Sequence, residues 1–129
     1  MSAYKIANVK EIEDSADKFG YAPNMEARFG RGPLEAERSG ISYQRLSPNF
    51  RGPFGHRHAE QEETYVVVGG SGRVKLEDGV HELVQWDALR VAPQSTRGFE
   101  AGPEGMELLV FGAGPGGEVE LVHDWWPTD

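Results

Sequence analysis

The amino-acid sequence predicts an all-β barrel of the jelly-roll type, preceded by a partly helical N-terminal arm. Its 17 Gly and 8 Pro are scattered over 129 residues without a collagen-like period, which is typical of many short strands joined by tight turns. From Ile41 onward, β-forming runs alternate with turn residues, and no credible helix lies between them. This pattern of about eight short strands favours two packed sheets whose wider end can hold a ligand.

The first 40 residues are predicted to form the arm. Their apolar positions have a loose helical spacing that ends at Gly20 and Pro23. These positions are Ile6, Val9, Ile12, Ala16 and Phe19. We expect the arm to cover one side of the barrel.

The barrel itself is expected over residues 41–122, and residues 123–129 form a C-terminal tail. Strands are predicted near 41–47, 63–68, 72–77, 80–85, 88–92, 96–100, 106–111 and 118–122. Turn residues separate them: Asp78-Gly79 suits a hairpin, and Pro48-Asn49 and Gly69-Gly70 interrupt their strands.

Composition excludes several classes of function. A mass of 14.2 kDa indicates one domain, and a net charge of −8 without a basic tract argues against nucleic acid as a partner. The chain has no cysteine, so a metal would have to be bound by His, carboxylate or water. No segment has the apolar length of a signal peptide or of a membrane span. We therefore expect a cytoplasmic protein with no membrane partner.

The segment Gly55–Tyr65 carries the candidate chemistry. His56 and His58 are separated by one residue, so on an extended strand both imidazoles project to the same face. Glu63 opens the following apolar run, and a short turn would bring its carboxylate beside both rings. Two nitrogens and one oxygen with open positions suit a divalent ion such as Fe, Mn, Ni, Co or Zn. Glu62 is the fallback ligand.

This segment resembles the first motif of the cupin superfamily: Gly, five residues, His-x-His, three or four residues, Glu, six residues, Gly. Six residues separate Glu63 from Gly70, as that motif requires, although Gly52 and Gly55 both lie closer to His56 than it asks. The resemblance covers roughly residues 41–113. It implies a cupin-type barrel, a pocket built around His56, His58 and Glu63, and a homodimer.

The second cupin motif is degenerate. It normally supplies the last metal-binding His after a Gly and a Pro-x-Gly, and here Trp86, Ala92 and Gln94 occupy those positions. The position of the last His is Arg97, which has no lone pair for a metal and keeps its charge. At about 4 Å and an effective dielectric constant near 20, an inward Arg97 would repel a cation by on the order of 4 kcal/mol per unit charge. A bound metal therefore requires Arg97 to point elsewhere.

Three functions stay open on these residues. The first is an enzyme with a metal on His56, His58 and Glu63. The second is a metal-free module in which Arg97 helps to bind a small anionic or sugar-like molecule. The third is a barrel retained only for assembly, in which Arg97 merely pairs with Glu63.

Residues outside the motif receive simpler interpretations. Tyr65 shares the strand parity of Glu63, so it is expected to line the pocket with its hydroxyl available to a ligand. His81 and His123 are predicted to lie on the surface. The apolar pair Trp125-Trp126 is expected to fold back on the barrel or on a neighbouring subunit.

Overall fold

The computed structural model describes residues 3–115 and 118–127. Its chain begins with a short 3₁₀ turn, Val9–Glu11, and a one-turn helix α1, Ser15–Lys18, and continues in strands. The strands are β1 Met25–Phe29, β2 Ser39–Leu46, β3 Phe54–His58, β4 Glu62–Leu76, β5 Gly79–Leu83, β6 Ala88–Val91, β7 Gly98–Ala113 and β8 Val119–His123. The predicted all-β fold is confirmed.

Two antiparallel sheets make up the barrel. The larger has the strand order β1-β2-β7-β4-β5, with β6 paired to the first part of β4, and the smaller consists of β3 and β8. The core between them contains mainly side chains of the long central strands β4 and β7. It includes Tyr65, Val67, Val74, Phe99, Met106, Leu108 and Val110. The site described below lies at one end of this core.

Strands β4 and β7 bend together in the middle of the barrel. The pairing shifts register between Val67 and Gly69 and again between Gly70 and Gly72. Gly70 has φ +69°, and a Cβ on it would lie 2.0 Å from the carbonyl oxygen of Gly105, so only glycine fits there. The sequence interpretation placed separate strands on either side of these bends, whereas each pair of segments is one continuous strand.

Two strands were not predicted. Strand β1 lies within the 1–40 segment and pairs along its full length with β2, and β3 pairs with β8. Met25–Phe29 alternates apolar and polar residues, but it is only five residues long and follows a segment with helical spacing. Phe54–His58 does not alternate, and its ladder partner β8 lies far along the chain. The division into arm, barrel and tail stays a prediction. The helices formed by residues 3–115 and 118–127 are all too short to cross a membrane.

Trp86 occupies a turn position that favours glycine. It has φ +74° and follows Val84 and Gln85 in a turn closed by a hydrogen bond from Asp87 N to Val84 O of 3.0 Å. A positive φ at the third residue is the geometry of a type II turn, in which a Cβ is strained. The indole is 68% exposed, so little burial offsets this strain.

We therefore expect Trp86→Gly to be more stable than Trp86→Ala by about 1 kcal/mol, since both lose the indole but only alanine keeps the strained Cβ. Urea denaturation of the two variants measures the difference. A Trp86→Ala variant at least as stable as Trp86→Gly would show that the turn relaxes without cost.

Candidate metal centre

Strand β3 delivers two imidazoles to one place. His56 and His58 are two residues apart on β3, so their side chains leave the same face of the strand. The rings meet edge to face with their centroids 5.1 Å apart. His58 is buried, and the His56 side chain keeps 23% of its surface exposed. The pair therefore combines one interior ligand with one that solvent reaches.

Glu63, at the start of β4, supplies the carboxylate at the centre of the cluster. Its Oε1 lies 3.2 Å from Nε2 of His58, 3.5 Å from Nε2 of His56 and 2.5 Å from the hydroxyl of Tyr65. One ligand atom from each of Glu63, His56 and His58 lies within 4.8 Å of the others. Burial raises the pKa of Glu63, but its contacts with the two imidazoles and the Tyr65 hydroxyl outweigh burial and hold that pKa well below its ordinary value.

A backbone carbonyl fixes the hydrogen-bonding state of His58. Nδ1 of His58 lies 3.2 Å from the carbonyl oxygen of Glu118, which can only accept a hydrogen bond, so Nδ1 carries the proton. In the neutral ring, Nε2 then has a lone pair. That atom is buried and has no hydrogen-bond partner, although Oε1 of Glu63 faces it. A proton on Nε2 makes the contact that lowers the pKa of Glu63, and in the neutral ring the lone pair and the carboxylate oxygen favour a metal ion in the same place, so the donor set fits a divalent metal.

Tyr65 supports Glu63 from within the core. Its ring packs against Phe99 with centroids 4.7 Å apart, and 1% of the residue is exposed. The hydroxyl donates to Oε1 of Glu63 and lies 3.5 Å from Nε2 of His56. Burial and the negative charge of Glu63 raise the pKa of Tyr65, so this group acts as a hydrogen-bond donor.

The guanidinium of Arg97 lies beside the cluster and is completely buried. Nη2 is 3.7 Å from Oε1 of Glu63. Most of its hydrogen bonds go to backbone carbonyls instead: Nη1 donates to Ser95 at 2.9 Å, to Pro93 at 3.3 Å and to His56 at 3.4 Å. Arg97 therefore faces the cluster rather than pointing elsewhere, so its charge weakens the binding of a metal there. Its other donors hold the surrounding loop, and Nε stays unpartnered.

The remaining candidates lie away from this cluster. Glu62, the fallback ligand, is exposed and pairs with Arg90 at 3.5 Å. His81 is exposed and lies 2.8 Å from Asp78, and His123 is exposed on β8. Trp125, in the predicted tail, folds back on its own barrel and donates a hydrogen bond to a β4 carbonyl.

A groove of about 540 Å³ reaches His58 from the surface. It is lined by His58 together with polar side chains of β3, β8 and the loop before β7, among them Arg57, Gln94 and Glu118. Volumes of about 300–1,000 Å³ are usual for small-molecule sites. Sequence reasoning missed the carbonyl of Glu118 because a backbone acceptor leaves no signal in residue type.

Comparison with solved structures identifies the fold. The chain superimposes on a cupin protein from Bacteroides fragilis with a TM-score of 0.71 and 22% identity, covering 92% of this chain and 90% of that chain. A polyketide cyclase from Streptomyces resistomycificus gives 0.71 and 22%, covering 93% of this chain and 84% of that chain. Oxalate decarboxylase from Bacillus subtilis gives 0.71 and 20%, covering 88% of this chain but 30% of that longer chain.

No protein-family profile matches the sequence, and no curated protein sequence does so either. The barrel nevertheless defines the class: this is a small domain with the cupin fold. Within that fold, it is a domain with His56, His58 and Glu63 gathered into a possible metal site and with Arg97 buried beside them.

Proposed function

We propose that this domain acts on a small molecule with a divalent metal held by His56, His58 and Glu63. Such an ion, when bound, supplies Lewis-acid or oxygen-activating chemistry. The residues of the chain hold the ion, leave coordination positions open and admit the small molecule. Ligands of two imidazoles and one carboxylate suit Fe, Mn, Ni, Co or Zn.

The observation that carries the proposal is the unpartnered Nε2 of His58. The Glu118 carbonyl turns this lone pair toward Oε1 of Glu63, 3.2 Å away. Leaving a buried acceptor without a donor costs about 1–3 kcal/mol. A cation on Nε2 removes that cost and is itself stabilised by the Glu63 carboxylate.

Access and fold support a small-molecule partner. The 540 Å³ groove is lined by His58 together with Arg57 and Gln94 and reaches the cluster at this one ligand. The His56 side chain is 23% exposed, which gives solvent a second approach. Several proteins with this fold have small-molecule activities by name, including the polyketide cyclase and oxalate decarboxylase. The mixed charges of Arg57, Glu118 and Glu120 favour a polar molecule over an apolar one.

A metal-free binding site is the second candidate. It is favoured by the 3.7 Å contact between Nη2 of Arg97 and Oε1 of Glu63, since the guanidinium neutralises the carboxylate without an ion. Tyr65 and His56 then provide polar contacts for a small anionic or sugar-like molecule. The two candidates differ in whether purified protein retains metal.

Metal analysis separates them. We expect protein purified without metal-affinity resin, then equilibrated with Zn²⁺, Mn²⁺, Co²⁺ or Ni²⁺ singly and with Fe²⁺ under anaerobic conditions, to retain about one equivalent of at least one of these ions. His58→Ala and Glu63→Gln should lower the affinity at least about tenfold, because each removes a ligand. His81→Ala, which changes an exposed histidine that contacts Asp78, is the matched control.

Equal metal retention by the parent, His58→Ala and Glu63→Gln proteins would contradict the metal proposal. No retention of any of the five ions by the folded parent would also contradict it and favour the metal-free site.

The proposed assembly is a homodimer in the cytoplasm, as the sequence predicts. Exposed apolar side chains, such as Phe111 on β7 at 43% and Trp86 in the turn after β5, support a partner surface. Sedimentation equilibrium should then give twice the chain mass of 14.2 kDa.

A further inference from the structure

Trp125 lies over the junction between the histidine-bearing strand and the main sheet. Its indole Nε1 donates to the carbonyl of Lys75 on β4 at 3.0 Å, and the Lys75 ammonium sits 3.7 Å from the centre of the ring. The ring also lies against two glycines, Gly55 on β3 and Gly98 on β7. The ring thus spans three strands from both sheets.

The two glycines leave no room for a side chain beneath the indole. A Cβ at either Gly55 or Gly98 would lie 2.8 Å from ring atoms of Trp125. Contacts under 3.0 Å require atoms to move, and a packed indole moves less readily than the end of a flexible chain. The ring therefore rests directly on the backbone of both strands.

These glycines are the immediate neighbours of two site residues. Gly55 precedes His56 and Gly98 follows Arg97, and the strand alternation turns His56 and Arg97 to the opposite side from Trp125. His56 and Arg97 also exchange backbone hydrogen bonds of 2.9 and 3.0 Å across the junction. Displacing Trp125 would therefore act on the backbone that carries both side chains.

Backbone hydrogen bonds tie the junction at separate points: besides the His56–Arg97 pair, Gly52 N donates to Phe99 O at 2.9 Å and His58 N donates to Pro93 O at 2.7 Å. Among residues 3–115 and 118–127, β3 pairs as a ladder with β8, whereas His56 meets Arg97 in an isolated bridge. An isolated bridge leaves the strand freer to shift than a continuous ladder does. Packing of Trp125 across the junction adds a side-chain restraint to these separate backbone hydrogen bonds.

We infer that Trp125 is a positioning residue for the candidate centre: from outside the barrel, it sets the placement of His56 and Arg97 by clamping Gly55 and Gly98. The expected effect of Trp125 on metal affinity rests on the proposed function. Its expected effect on the placement of the His56 and His58 rings does not.

The test compares Trp125→Ala with Trp125→Phe. Phenylalanine keeps an aromatic ring over the glycines and loses only the hydrogen bond to the Lys75 carbonyl, whereas alanine removes the clamp. Gly55→Ala pushes on the ring from the strand side. Gly32→Ala, where an added Cβ meets nothing within 4 Å, and Trp86→Ala, at an exposed indole, are the matched controls.

Two readouts are needed. Long-range ¹H–¹⁵N spectra of the imidazole rings, recorded at one pH on metal-free protein, report the surroundings of His56 and His58 without any metal. Calorimetric titration with Zn²⁺ or Co²⁺ reports affinity. Circular dichroism establishes whether each variant is folded. If Trp125→Ala is unfolded, the same two measurements are made on Gly55→Ala and Lys75→Met.

We expect Trp125→Ala and Gly55→Ala to shift the His56 ring signals and to weaken metal binding about tenfold, the lower end of the usual outer-contact effect. In Trp125→Phe, the ring signals and the metal affinity should both lie closer to those of the parent, and in the two control variants they should equal those of the parent. Unchanged His56 and His58 signals in a folded Trp125→Ala or Gly55→Ala protein would overturn the inference. If the signals shift while the parent itself binds no metal, the positioning role stands and the metal proposal fails.

Discussion

Replacing Arg97 by histidine is expected to raise divalent-metal affinity by about two to three orders of magnitude. The substitution removes a permanent positive charge 3.7 Å from Oε1 of Glu63. At this range and an effective dielectric constant near 20, the repulsion of a cation is on the order of 4 kcal/mol per unit charge, or about a thousandfold in affinity. A neutral imidazole at the same position also adds a ligand to His56 and His58.

Calorimetric titration of the parent and Arg97→His with Zn²⁺ or Co²⁺ measures this gain. Arg90→His is the matched control, because Arg90 is exposed and pairs with Glu62 at 3.5 Å, outside the cluster. An affinity for folded Arg97→His no higher than that of the parent would show that residue 97 does not occupy the fourth ligand position. The alignment of the second cupin motif would then be wrong.

Replacing Arg97 by methionine is expected to lower the free energy of unfolding by about 3–5 kcal/mol, the usual cost of removing one partner from a buried charged contact. Glu63 would lose its nearby positive charge, and the Ser95 carbonyl would lose its 2.9 Å donor. Methionine keeps much of the arginine volume, so the loss comes from charge and hydrogen bonding rather than from a cavity.

Urea denaturation of Arg97→Met against the parent measures the loss. Arg90→Met should change stability by less than about 1 kcal/mol, since its ion pair is exposed. A similar loss of unfolding free energy in both variants would show that the buried Arg97 stabilises the fold no more than an exposed ion pair does.

Arg97→Met also tests the metal-free candidate. Small carboxylates and sugar acids are screened by thermal shift, and hits on the parent are repeated on the variant. If a hit stabilises both proteins equally, Arg97 is not the contact for the anion.

Local chemistry made several features predictable. The spacing of His56 and His58 places both rings on one face of any extended strand, because side chains alternate with a period of two. The apolar run after Glu63 indicated β4, and glycine-rich turns indicated many short strands. The short turn before Glu63 indicated that its carboxylate would join the two rings, as the cupin resemblance also implies, and the structure brings the three together.

Non-local pairing decided what the sequence could not show. Phe54–His58 has no strand-like alternation and becomes β3 through its ladder with β8. Met25–Phe29 does alternate, but five residues beside a segment with helical spacing are a weak signal, and its ladder with β2 makes it β1. The bends at Gly70 and Gly105 resemble strand ends in sequence, yet the chain continues through them, because each long strand keeps its partner on both sides.

By itself, the sequence determined the all-β class, the HxH face and the identity of every side chain in the cluster, since these depend on residue type and short-range periodicity. Tertiary structure alone decided how those side chains are used. The carbonyl of Glu118 turns His58 Nε2 toward Glu63, and the carbonyls of Pro93 and Ser95 draw the guanidinium of Arg97 into the loop. Backbone acceptors carry no signature in residue type, so their effect exists only once distant strands have packed together.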